Sequence, residues 1–153
     1  MEEMTIRLVE MAETDLHGLI AKLDRELLER YPADEIFGLD FSDPKNAHTK
    51  FVIAYIGGVP AGCGAIRPLD SESVELKRVF VDRDFRKRGI AAAMLDVLEN
   101  EAAADGFTVV RLETGEAQPE SIGLYRKLGY QDIEPFGEYA CCPSSICMEK
   151  RIG

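Results

Sequence analysis

A chain of 153 residues is long enough to bury one sizeable core, and 46% hydrophobic with 30% charged residues is ordinary for a soluble globular protein. A net charge of −10 argues against a general nucleic-acid binder, whose footprint should be basic, and no apolar run approaches the ~20 residues of a membrane span. Met1-Glu2-Glu3-Met4 lacks the basic-then-apolar layout of a secretory signal, so one domain over 1–153, in the cytoplasm, is expected.

Residues 5–9 alternate loosely and predict a first strand. Thr14 or Asp15 can cap a helix on which Leu16, Leu19, Ile20, Leu23 and Leu27 recur at helical spacing, with Lys22, Arg25, Glu26 and Glu29 on the other face and His17 at the surface. The period breaks over 31–50. There the turn formers Pro32, Gly38, Asp40, Asp43, Pro44 and Asn46 interleave with Ile36, Phe37, Leu39 and Phe41. This stretch reads either as a packed loop or as the wall of a pocket. Residues 51–56 and 60–67 predict two strands joined by a Gly57-Gly58 hairpin, and 74–81 a third strand of the same antiparallel meander.

After that third strand, Arg83, Arg86, Lys87 and Arg88 crowd into six positions, a local inversion of the acidic background. Gly89 then permits a close turn into an apolar helix from Ile90, whose face carries Ala91, Met94, Leu95, Leu98 and Ala102. A helix N-terminus behind a glycine turn suits a phosphate. Gly106 ends that helix, and a strand over 107–113 is expected to pair parallel to the third meander strand. Pro119 opens a last helix through Ile122, Tyr125 and Leu128 to Gly129, with Tyr130 packing back, and 144–152 predicts a final strand. The fold class is therefore α/β (α+β). Cys63, Cys141, Cys142 and Cys147 with His17 and His48 lack metal-ligand spacing, so free thiols and no metal are expected.

The stretch Arg86-Lys87-Arg88-Gly89-Ile90-Ala91 resembles the R/Q-x-x-G-x-G/A cofactor motif of the GNAT superfamily of N-acetyltransferases. Leu124-Tyr125-Arg126-Lys127-Leu128-Gly129-Tyr130 is similar to that family's LY-x-x-x-G-F/Y segment. The resemblance implies a mixed, mostly antiparallel central sheet flanked by helices, with acetyl-CoA as co-substrate. It implies that Val79, Phe80 and Val81 lie on the strand whose backbone pairs with the pantetheine arm, and that residues 86–91 hold the pyrophosphate on backbone N–H groups. Lys87 or Arg88 can reach a CoA phosphate, or the cluster is a solvated basic turn. Gln118 stands where many members carry an asparagine near the cofactor.

Tyr125 matches the tyrosine that protonates the departing thiolate in many members; alternatively it is a core tyrosine. Glu75 matches the spacing of the general base in the histone-acetylating branch. Strand parity puts it on the face of Val79 and Val81. It can instead be a structural glutamate paired with Lys77 or Arg78, and Glu113 is the rival base. Cys63 is an unpromising acyl carrier, with no histidine nearby in sequence. The implied partner is a small-molecule or peptide amine, with no nucleic acid or membrane, and a homodimer is open. The segment Phe136–Ile146 resembles a tail of many bacterial members, in which Tyr139 can help shape the acceptor site. The rival function is a non-catalytic CoA-binding module.

Overall fold

Runs of β-branched and aromatic residues bounded by turn formers set seven strands. They are β1 (Met4–Val9), β2 (Lys50–Ile56), β3 (Val59–Pro68), β4 (Ser73–Val81), β5 (Val109–Gly115), β6 (Gln131–Ile133) and β7 (Ser145–Arg151). The helices are α1 (Thr14–Leu28), α2 (Ile90–Ala104) and α3 (Pro119–Lys127). This computed structural model describes residues 3–36, 38 and 42–153, and of Lys45 the backbone alone.

One sheet takes the order β1-β2-β3-β4-β5-β7-β6. Every neighbouring pair is antiparallel except β4 with β5, which α2 joins as a parallel crossover. The mixed, mostly antiparallel sheet with flanking helices expected from the sequence is therefore present. The Gly57-Gly58 hairpin is also present, both residues at positive φ (56° and 82°).

Helices cover both faces, so β2 is buried along nearly its whole length. On one face Val52, Ala54, Val74, Leu76, Val110 and Leu112 pack with Met94, Leu95 and Leu98 of α2. On the other, Phe51, Ile53, Tyr55, Cys63 and Phe80 pack with Leu16, Leu19 and Leu23 of α1.

Several expectations change at element ends. Neither Thr14 nor Asp15 caps α1. Glu13 holds the cap position without a side-chain bond, and Asp15 accepts from the Tyr55 hydroxyl at 2.8 Å instead. Strand β5 starts at Val109 rather than 107, because Phe107 N–H still donates to Ala102 O of α2 around Gly106 (φ 91°). The three-residue β6 and a 3₁₀ turn over Gly137–Cys141 were not expected. Of the residues read as a pocket wall, Phe37, Leu39, Asp40 and Phe41 lie outside the described residues.

One irregularity positions the site. Arg78 takes φ 56°, and the β3–β4 register shifts between Cys63 and Ala65, the signature of a bulge. The Arg78 guanidinium is buried against Asp24 of α1, which helps hold the unusual backbone. The extra residue reverses the alternation along β4. Val74 and Leu76 precede it on the α2 face, and Val79 and Val81 follow it on that same face. Glu75 and Lys77 therefore point to the α1 face, opposite Val79 and Val81, which corrects the parity drawn from the sequence. The parallel β4–β5 ladder also stops at Leu76↔Leu112, although β4 runs on to Val81 and β5 to Gly115. A cleft opens where the two strands part.

Candidate active site

Two connected clefts follow from that parting. The larger, about 430 Å³, runs along the end of β4 to the start of α2 and is lined by Val79, Phe80, Val81, Arg86, Lys87, Gly89, Ile90, Ala91, Gln118 and Tyr125, among others. Of the expected cofactor residues, Arg88 alone is absent from its wall; its guanidinium lies 5.4 Å from the Phe85 ring centre.

The basic turn is built by internal ties. Asp82 accepts from Asp84 N–H at 3.1 Å and from Lys22 Nζ at 2.6 Å. Arg86 Nε donates to Val81 O at 2.9 Å, and its terminal nitrogen donates to both oxygens of Glu26 at 2.8 and 2.7 Å. Arg83 pairs with Glu29 at 2.6 Å. These arginines thus bind the turn to α1. Lys87, exposed and at φ 65°, has no ion-pair partner among the described residues. Gly89 takes φ 76°, and a β-carbon there would meet nothing within 4 Å, so the backbone lies open to the cleft just before the first N–H groups of α2.

The second cleft, about 90 Å³, lies on the β5 side and shares Leu23, Leu27, Val79, Gln118, Ser121 and Tyr125 with the first. Tyr31, Glu35 and Ile36 from the 31–50 stretch line it, in keeping with a pocket wall there. Tyr125 is 7% exposed, with its ring edge-on to Tyr130 at 5.8 Å. Burial, followed by the charge of Glu113, pushes its phenol up to about 12. Among the described residues its hydroxyl has no hydrogen-bond partner. Gln118 occupies the N-cap position of α3 without a side-chain cap bond, leaving its amide to face both clefts.

The two candidate bases sit differently. Glu75 is 1% exposed and lines neither cleft. It accepts from Arg67 at 2.5 Å and from the Tyr139 hydroxyl, and lies 3.9 Å from Lys77 Nζ, one of the two pairings considered from sequence. Arg67 also donates to Asn46 Oδ1 at 3.2 Å. Glu113 lines the second cleft and accepts from Ser145 Oγ at 2.7 Å. Burial raises its carboxyl above the ordinary range, against the opposing pull of the Ser145 hydroxyl and Lys77. Lys77 Nζ donates to the Tyr139 hydroxyl at 2.9 Å, and burial lowers this ammonium despite Glu75.

Sequence reasoning missed Arg67, and it covered Tyr31, Glu35, Ser144 and Ser145 only within the 31–50 and 136–146 stretches, without singling them out. None stands at a motif spacing, and each reaches the site only through tertiary packing. Cys63 is buried, donates weakly to Arg78 O and is pushed up to about 12 by burial, so its thiol is unsuited to carry an acyl group. Among the described residues no cluster of three metal-ligating side chains occurs, and no helix is long and apolar enough to cross a membrane.

Comparison with known proteins agrees with this layout. The acetyltransferase (GNAT) family matches residues 13–130. An IAA acetyltransferase of Azospirillum brasilense is 40% identical over 136 residues, covering 88% of each chain. A Klebsiella pneumoniae crystal structure described as an acyl-CoA N-acyltransferase superposes with a TM-score of 0.86 at 30% identity over 98% of both chains. A GNAT acetyltransferase from Elizabethkingia anophelis, solved with acetyl-CoA bound, shares the fold with a TM-score of 0.71 at 18% identity, covering 97% of each chain. With its parted β4 and β5 and its glycine turn at the head of α2, the chain belongs to the GNAT family of acetyl-CoA-dependent acyltransferases.

Proposed function

We propose that this chain, as one domain over 1–153, transfers the acetyl group of acetyl-CoA to a primary amine in a ternary complex. The observation that carries the proposal is the meeting of two clefts at Tyr125, one beside the glycine turn and one beside Glu113. The cytoplasm is the proposed compartment, and a homodimer is compatible with it.

The larger cleft suits the donor. Gly89 and the first turn of α2 offer N–H groups to a pyrophosphate, with Arg86, Arg88, Ile90 and Ala91 shaping that turn and Lys87 supplying an exposed charge. Val79 and Val81, past the last β4–β5 pair, offer backbone groups to an extended arm in the manner of an added strand, above the packed Phe80. Gln118 can bond that arm from the α3 side. Acetyl-CoA supplies a thioester that the free amine attacks. A backbone N–H near Val79 stabilises the developing oxyanion. Tyr125, protonated throughout the physiological range, donates its proton to the departing sulfur.

An ammonium acceptor must first lose a proton. Glu113 is better placed than Glu75 to receive it, since it faces the cleft and Glu75 does not. Glu75 acts one step removed, holding the Tyr139 hydroxyl at the cleft wall.

The test is thiol release from acetyl-CoA with a panel of primary amines, and in a separate arm with IAA, which the Azospirillum protein's name mentions and which carries no primary amine. The native chain and Tyr125→Phe are compared. Turnover falling by roughly 100-fold in the variant, with CoA affinity retained, is the expected result. CoA binding without turnover of any amine favours a non-catalytic CoA module and overturns the proposal.

A further inference from the structure

Two carboxylates line the acceptor cleft, each held by a serine hydroxyl. Glu113 on β5 accepts from Ser145 Oγ at 2.7 Å, and Glu35, in the 3₁₀ turn Ala33–Glu35, accepts from Ser144 Oγ at 2.6 Å. Ser144 and Ser145 are chain neighbours, so both carboxylates converge on one stretch of wall. Among the described residues neither carboxylate makes an ion pair. Arg78 of the same cleft pairs with Asp24; Lys77, beside the closer Arg67–Glu75 pair and bonded to the Tyr139 hydroxyl, is among the described residues the one cation of the cleft left to set against Glu35, Glu113 and Glu138. Glu138 adds further negative potential at Glu113. The charge left over in this cleft is negative.

An independent observation points to a ligand in the same place. The Tyr125 hydroxyl, on a side chain more than nine-tenths buried, faces this cleft with no hydrogen-bond partner among the described residues. The hydroxyl is not sealed in the core; it opens on the cleft, where a bound molecule rather than the fold can supply its partner.

We propose that the acceptor carries two cationic groups a few bonds apart. The reacting nitrogen lies between Glu113 and Tyr125, and the second group, an ammonium or guanidinium, pairs with Glu35. This assignment rests on amine acetylation and narrows it to diamine-like acceptors. The reacting ammonium gives one proton to Glu113, and the nitrogen bonds the acetyl carbon as the C–S bond breaks. The sulfur leaves with the Tyr125 proton, and the nitrogen's second proton replaces it on Tyr125 as the neutral amide forms, so the net proton released is the one held by Glu113. The product keeps only one cation. It therefore cannot satisfy both carboxylates, and the reaction stops after one acetylation.

The test compares 1,4-diaminobutane with butylamine, by thiol release and mass spectrometry, on the native chain, Glu35→Gln and Glu35→Asp. The native chain should favour the diamine by about tenfold or more in kcat/KM and yield the mono-acetyl product. Glu35→Gln should cut that preference to about threefold or less, mainly through KM, while Glu35→Asp keeps most of it. Circular dichroism checks that the variants fold; if Glu35→Gln does not, the native preference and the mono-acetyl product decide. Equal turnover of both amines, ready double acetylation, or a preference that survives Glu35→Gln in folded protein overturns the assignment and leaves amine acetylation standing. If acetyl-CoA binds by calorimetry and no amine turns over, amine acetylation falls and this assignment falls with it.

Discussion

The Tyr31 hydroxyl occupies the space that a β-carbon at Gly115 would fill. The same hydroxyl accepts from Ala117 N–H at 3.1 Å. One tyrosine just past α1 thus fixes where β5 ends and how the chain enters α3, the helix that carries Tyr125.

Gly115→Ala should therefore expel Tyr31 and cost about 1–3 kcal/mol of stability. In a Tyr31→Ala background the same change should cost much less. Urea denaturation of the four members of this cycle measures the coupling. Equal costs in both backgrounds would mean that the close approach is not what demands glycine.

Glu113 gives a prediction with two signs. Its carboxyl titrates above the ordinary glutamate range, and only the ionised form can accept a proton. The acid limb of kcat/KM should therefore lie above that range, and Glu113→Gln should lower kcat by roughly 100-fold. Stability runs the other way. The folded state binds this proton more tightly than the unfolded chain does. The carboxyl's contribution is therefore best at low pH and is lost as pH rises through the raised value. Glu113→Gln should raise Tm at pH 7 and bring little gain near pH 4. Scanning calorimetry at the two pH values reads the difference.

Arg86 and Glu26 tie the glycine turn to α1. The pair is partly exposed, with side-chain exposures of 35% and 13%, so its coupling should be about 1 kcal/mol in a double-mutant cycle. Glu26→Ala should raise KM for acetyl-CoA several-fold with little change in kcat, because the turn loses its support while Tyr125 keeps its place. A fall confined to kcat would assign Arg86 another task.

Arg67 is the main charge partner of buried Glu75. Arg67→Met should cost about 3 kcal/mol, since it leaves a carboxylate without its strongest counter-ion. Adding Glu75→Gln should recover much of that loss. Chemical denaturation of the single and double variants checks this, and an additive double variant would deny that the two residues act as a pair.

The larger cleft was legible in the sequence because it is built around local backbone features. Gly89, the basic turn and the amphipathic run from Ile90 are local signals, and local signals survive without tertiary knowledge. Glu75 shows where legibility ended. Its strand was correctly expected, yet its facing was not, because the bulge at Arg78 falls on an arginine and no glycine marked the positive φ. The tertiary contacts of Tyr31, Glu35 and Arg67 likewise left no periodic trace. Strand β6, at three residues, is shorter than any alternation pattern can announce.

Strand β7 lies between β5 and β6, and with the turn before it supplies Tyr139, Ser144 and Ser145 to the acceptor side. The glycine turn and the head of α2 lie about fifty residues earlier in the chain. As the polypeptide emerges from the ribosome, the glycine turn and α2 can take shape while the opposite wall is still being translated. A nascent chain at that stage would have the means to hold a thioester but no finished place for the molecule that must receive its acyl group. On the proposed function, completing the last strand would set the moment at which binding becomes turnover.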